Sequence, residues 1–153
     1  MDNFIEQAIA LAAENVRSEG GPFAALVVKD GAVIATGANH VTRDNDPTAH
    51  AEMVAIREAC RALGDYQLTG CEVYASCEPC PMCVGALYWA RPARVFFAAT
   101  HDEAAAAGFD DAFIYREIQT PPSARAIPMI HVANEGATRP FEEWANKPDK
   151  KKY

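Results

Sequence analysis

Two short stretches constrain most of what this chain can become. One is Pro47-Thr48-Ala49-His50-Ala51-Glu52. The other is Cys77-Glu78-Pro79-Cys80-Pro81-Met82-Cys83. Together they offer an imidazole, His50, two thiolates, Cys80 and Cys83, and a free carboxylate, Glu52. An imidazole and two thiolates can hold a zinc ion and leave its fourth position open. That is the arrangement of a catalytic site, because an all-protein tetrahedron has no room for a reactant. The carboxylate can then carry protons to and from a water in the open position. A fold for this chain therefore has to bring two distant stretches to one point.

Cysteine usage favours a metal over disulfides. The count is odd: Cys60, Cys71, Cys77, Cys80 and Cys83. A C-x-x-C pair with a distant histidine, in a chain without a secretory leader, is the pattern of a metal site. A thioredoxin-like redox pair would account for C-x-x-C but not for His50 and Glu52. Cys60 and Cys71 fall in helical and strand patterns and suit a core. His40, His101 and His131 have no ligand spacing.

Periodicity divides the chain into alternating elements. Residues 4–18 form a helix, with Ile5, Ile9, Ala12 and Val16 on one face and Asn3 as its cap. Phe23 to Lys29 and Ala32 to Asn39 are strands of a hairpin turned at Asp30-Gly31. A polar loop over residues 42–47 leads to a helix from about Thr48 to Leu63, stopped by Gly64. Glu72 to Ser76 is a third strand. A helix opened by Pro79 or Pro81 runs to Ala90, and Arg94 to Ala99 is a fourth strand. Thr100 or Asp102 caps an alanine-rich helix ending at Gly108. A loop and a helical turn follow over residues 109–115. Pro128 to Val132 is a fifth strand, and residues 141–146 form a last helix. A hairpin followed by strands alternating with helices implies an α/β protein with a mixed sheet covered on both faces.

The two motifs match H-x-E…P-C-x-x-C, the signature of zinc nucleobase deaminases. On that match the chain resembles the cytidine deaminase-like superfamily and, more closely, the bacterial guanine deaminases. The likeness runs from Gly20-Gly21-Pro22-Phe23 to the terminal Lys-Lys-Tyr. It implies a three-layer α/β/α fold with a five-stranded mixed sheet and zinc at the N-termini of the two middle helices. It also implies one Zn²⁺ per subunit, bound by His50, Cys80 and Cys83, with a zinc-activated water as nucleophile and Glu52 as proton shuttle. Glu78 is a rival proton carrier that the resemblance assigns to support. His50 and Glu52 are two positions apart, about 200° on a helix, so they converge only if they sit at its first turn. In a closed zinc site, the alternative, Glu52 would be a bystander.

The motif alone permits cytosine, cytidine, deoxycytidylate, guanine or an adenosine in transfer RNA. The segment Gly108-Phe109-Asp110-Asp111-Ala112-Phe113 and the terminal Tyr153 resemble those of guanine deaminases, which implies hydrolysis of guanine to xanthine and ammonia. A carboxylate suits guanine physically. The base presents two adjacent donors, N1–H and N2–H₂, and a carboxylate has two acceptor oxygens. Asp111 is expected in this role and as a second catalytic group that helps protonate the departing amine, with Asp110 as its understudy and a helix cap as the ordinary explanation. The resemblance also places Phe23, Asn39, Trp89 and Tyr153 against the base. Core packing for Phe23 and Trp89 and a turn for Asn39 are the plain alternatives. Guanosine or another aminopurine or triazine, cytosine, and transfer-RNA adenosine are the competing substrates. A zinc-stabilised interaction module is the competing non-enzyme.

Composition excludes other classes. The formal net charge is −7 over 153 residues, so a broad basic face for nucleic acid is not expected. No apolar run is long enough to span a bilayer, and the N-terminus lacks a basic leader. The chain is expected to be cytoplasmic and to form a single domain over 1–153. The resemblance implies a homodimer in which residues from about 121 to 153 are exchanged between subunits. Pro121-Pro122 would be the hinge, and Tyr153 a lid over the partner's site.

Overall fold

The hairpin forms where Asp30 and Gly31 both take positive φ, 51° and 76°. That two-residue turn matches the twist of its strands. The computed structural model describes residues 3–153, in two compact units, 1–111 and 112–153. In the first, β1 (Ala24–Lys29) lies between β2 (Ala32–Ala38) and β3 (Cys71–Cys77), antiparallel to both. β4 (Arg94–Ala99) runs parallel to β3 and ends the sheet, whose order is β2-β1-β3-β4.

Side-chain alternation along β1 builds two cores. Ala25 and Val27 point into a cluster with α3 (Ala51–Leu63) and α4 (Pro81–Ala90). Leu26 and Val28 point the other way, toward Ala8 of α1 (Phe4–Arg17). The expected α/β/α layering is therefore present. Each fully buried Leu or Val contributes about 1.5–3 kcal/mol, so this central strand anchors both layers.

Alanine sets how close α3 comes. Ala51, Ala55 and Ala59 are fully buried against the sheet. At Gly37 of β2 a Cβ would lie 2.3 Å from the Ala51 carbonyl oxygen and 2.5 Å from the Ala55 nitrogen. Only glycine lets the start of α3 rest on β2 there, and the start of α3 carries His50 and Glu52.

Three expectations change. Phe4, Ala8 and Leu11 of α1 pack with Leu26, Val28 and Tyr74, and Ala12, one of the expected residues, is buried. Ile9 and Val16 are 46% and 51% exposed. The Phe4 ring, 5.1 Å from Tyr74 between centroids, sets that rotation. The loop after β2 contains a one-turn helix, α2 (Val41–Asp44). Among the described residues the sheet has four strands, not five. In the segment Pro128–Val132, Pro128 has no N–H to donate and Met129 N–H donates to the Pro122 carbonyl. No ladder can start from those positions.

Thr100 caps α5 (His101–Ala106) in a capping box with Glu103. The second unit holds α6 (Ala112–Gln119), a 3₁₀ turn (Pro122–Ala124) and α7 (Arg139–Ala145). The Arg125 guanidinium closes the end of α6 by donating to the carbonyls of Glu117, Ile118 and Thr120. Among the described residues, no helix is long and apolar enough to cross a membrane.

Candidate metal centre and base pocket

His50 and Cys80 occupy equivalent positions: each is the N-cap of a middle helix, with extended backbone at ψ 155° and 170°. Both therefore stand off their helix ends. An Asp46 turn prepares the first. Its carboxylate accepts from Thr48 N–H and Oγ–H at 2.8 and 2.7 Å, and α3 starts at Ala51 rather than Thr48. The problem of a 200° offset disappears, because His50 is outside the helix and Glu52 is its second residue. Pro81 starts α4, where its missing N–H costs nothing, and Cys83 lies in that helix's first turn. The positive ends of both helices favour thiolate at the two cysteines.

One ligand atom from each of His50, Cys80 and Cys83 forms a group lying within 4.8 Å of one another. His50 Nδ1 is 3.3 Å from Cys80 Sγ and 3.6 Å from Cys83 Sγ. In a tetrahedron with Zn–S near 2.3 Å and Zn–N near 2.05 Å, that edge is about 3.5 Å. The donor set therefore fits zinc in both chemistry and spacing. The donors share protons unequally. The Cys83 thiol bonded to Cys80 brings the Cys80 thiol down to about 4. Cys83 is pushed up by Cys80 and by burial. The bond to Cys80 raises His50. Cys77 also has C-x-x-C spacing to Cys80, but it ends β3 and is buried. Burial pushes its thiol up to about 11, and its sulfur lies outside the group formed by His50, Cys80 and Cys83.

Glu52 is 6% exposed, and its Oε2 accepts from Cys83 Sγ at 3.2 Å. Burial raises its carboxyl above the usual range, as a group that must hold as well as release a proton requires.

The site opens into a cavity of about 620 Å³, the size of a small-molecule site. His50, Glu52 and Cys80 line it together with Phe23, Asn39 and Asp111. Phe109 meets the Phe23 ring edge-on, with centroids 5.0 Å apart. Asp111 is half-buried and its carboxyl is raised by burial. Asp110 also lines the cavity but is exposed. Trp89 is not among the lining residues, and on α4 it is 63% exposed. Tyr153 is an exposed residue of the second unit.

Sequence reasoning set His101 aside, yet it lines the cavity. Glu78 Oε2 accepts from its backbone N–H at 2.9 Å and bonds its Nδ1 at 2.8 Å. These contacts lower the Glu78 carboxyl and raise the His101 imidazole. The pairing follows from strand register, which residue type alone does not announce. Cys77 pairs with Ala99 across parallel strands, so the residues just beyond the two strand ends must meet.

The cytidine and deoxycytidylate deaminase zinc-binding region matches residues 1–99. The chain is 56% identical to guanine deaminase of Bacillus subtilis (strain 168), over 99% of this chain and 98% of that one. The X-ray structure of guanine deaminase from Bacillus subtilis superposes with a TM-score of 0.98, covering 100% of this chain and 99% of that one. A tRNA-specific adenosine deaminase of Aquifex aeolicus (strain VF5) is 50% identical, over 51% of this chain and 52% of its own. With the motif, the layered fold and a donor group of zinc dimensions, this chain belongs to the zinc-binding cytidine and deoxycytidylate deaminase family, and within it to the guanine deaminases.

Proposed function

We propose that the protein hydrolyses guanine to xanthine and ammonia, using His50, Cys80 and Cys83 as ligands of one zinc ion. The supporting observation is one cavity lined by His50 and Cys80 of the ligand group, by the buried Glu52, and by Asn39, Asp111 and Phe23. Held by these three residues, zinc would supply Lewis acidity that activates a water at near-neutral pH. Glu52 takes the water's proton as oxygen bonds to C2 of the base, and passes it to a ring nitrogen. A second transfer through Glu52 lets the C2–N bond break with ammonia as the leaving group. Asp111 accepts from N1–H and N2–H₂, a match that adenine, with a ring acceptor beside its amino group, lacks. Phe23 forms an aromatic wall, and Asn39 bonds the base through its amide.

The chain acts as one domain per subunit in a homodimer that exchanges residues from about 121 to 153. Tyr153 covers the partner's pocket, and Trp89 is an aromatic wall for the base. Support comes from each unit separately. β4 is a sheet edge, and the second unit exposes Ile127, Met129, Ile130 and Val132. The five free cysteines support a cytoplasmic setting.

The test is ammonia release by the zinc-loaded protein from guanine, guanosine, adenine, cytosine and a transfer RNA, with Glu52→Ala as control. Release from guanine, absent in the control, is expected. Silence on guanine with release from another base would sink the substrate assignment and leave the zinc chemistry standing.

A further inference from the structure

Asn15 sits near the C-terminal end of α1 and is not among the residues lining the cavity. Its side-chain Nδ2 donates to the Gly21 carbonyl at 2.7 Å and to the Asn39 carbonyl at 2.9 Å. Both acceptors are carbonyl oxygens, so the amide nitrogen has to face them. One NH₂ group thus ties together two walls of the pocket, the Gly20–Phe23 turn before β1 and the residue that follows β2. The tie is reinforced on both sides. Gly20 N–H donates to the Asn15 carbonyl at 2.8 Å, and Asn39 N–H donates to the Phe23 carbonyl at 3.0 Å. Gly20 makes room for it, since a Cβ there would lie 2.3 Å from Asn15 Nδ2.

The Asn39 side chain is set by the same arrangement. Its Oδ1 accepts from Val41 N–H at 3.2 Å, which leaves Nδ2 for an acceptor on a planar base. Gly21 closes the other side, where a Cβ would lie 3.0 Å from Asn39 Cγ. Rotating or sliding the Asn39 backbone would therefore move the amide that meets the base.

We infer that Asn15 is a positioning residue for base recognition: its bridging amide holds Asn39 against Gly21 so that the Asn39 side chain meets the base at the correct height. This rests on the proposed role of Asn39 in binding guanine. No other small side chain replaces the bridge. Aspartate has the shape but no donor, and its charge would face two carbonyl oxygens. Serine has a single O–H, and glutamine places its amide one methylene further out.

The experiment is a double-mutant cycle on the zinc-loaded protein with Asn15→Asp, Asn39→Ala and their combination. Asn15→Ala supplies a second single variant should the aspartate fail to fold. Zinc content and Tm are measured alongside KM and kcat. Because Asn39 bonds the base in ground and transition states alike, each single change should raise KM about tenfold and move kcat by less than about threefold. The double variant should have a KM no worse than that of Asn39→Ala, because Asn15 acts through Asn39. Additive effects on KM, or a lowered Tm with KM unchanged, would overturn the inference, as would an unchanged KM in Asn39→Ala. Kinetics are run on whichever aminated base the wild type turns over. Silence of the wild type on guanine therefore refutes the substrate reading while the cycle still decides the role of Asn15.

Discussion

Replacing Glu52 by glutamine separates catalysis from architecture in a single atom. The side chain is 6% exposed and makes a bond to Cys83 Sγ at 3.2 Å. Glutamine keeps the volume, and beside a zinc-bound Cys83 thiolate, which has no proton to give, its amide NH₂ can donate to the sulfur. The structural cost is therefore bounded by one strained or lost hydrogen bond, about 1 kcal/mol. The catalytic cost is larger. A positioned proton carrier contributes about 10²–10⁴ in rate, which is about 2.7–5.4 kcal/mol of barrier. The two effects differ enough to be told apart. Ammonia release at saturating guanine should fall by two to four decades, while bound zinc stays at one per subunit and Tm shifts by a few degrees. Zinc is read by a chelating dye after denaturation, and Tm by calorimetry. Turnover within about tenfold of wild type, in a folded and zinc-replete variant, would refute the proton route and revive the reading of Glu52 as a bystander in a structural site.

Gly37→Ala should cost about 1–3 kcal/mol of stability, because the new methyl meets backbone atoms of α3 rather than a side chain that can turn away. Zinc retention should fall with it, since His50 caps that helix; an unchanged Tm would show that α3 shifts freely. Removing zinc with a chelator should abolish turnover and lower Tm. Zinc at a thousandfold over its Kd stabilises by about 4 kcal/mol, or about 10 °C for a chain of this size, and re-addition should restore both. Acid should weaken the turn before His50. Bonds from Thr48 hold the Asp46 carboxyl below its usual range, so its contribution is complete above the unfolded pKa and is lost as pH falls through the lowered folded value. Asp46→Asn should flatten that acid limb of a stability-against-pH curve, and an identical limb would exclude Asp46 as its source. Segment exchange predicts complementation. Co-refolding Glu52→Ala with a chain lacking Tyr153 should recover about a quarter of wild-type activity, because half the dimers carry one complete site. No recovery would place the terminal tyrosine over its own subunit's pocket.

The metal centre was legible because zinc leaves little freedom in residue type. His50, Cys80 and Cys83 can be found without knowing the fold, and their chemistry requires that the fold join them. The helix starts were less legible. Thr48 reads as a cap by composition, yet Asp46 takes its N–H and O–H and moves the start to Ala51. The face of α1 was not legible, because Ile5, Ile9, Ala12 and Val16 share helical spacing, yet the face that packs on β1 and β3 carries Phe4, Ala8 and Leu11 against Tyr74. The expected fifth strand has an apolar run, but Pro128 and the bond from Met129 to Pro122 deny it a ladder.

Residues that touch a ligand and residues that place them leave different traces in a sequence. A carboxylate can be sought in advance because its two oxygens match two adjacent donors on a base, and Asp111, proposed for that role, lines the cavity. Asn15 could not, because it works through two backbone carbonyls, and every residue has one. The same holds for Glu78 and His101, which meet only because Cys77 and Ala99 share a register across two parallel strands. Side-chain chemistry is readable one residue at a time, whereas positioning depends on pairs that only topology brings together. In this chain the proposed zinc ligands His50, Cys80 and Cys83 and the proposed proton carrier Glu52 belong to the first kind. The bridge that sets the height of Asn39 belongs to the second, and it becomes visible only once α1, the Gly20–Gly21 turn and the end of β2 are seen to meet.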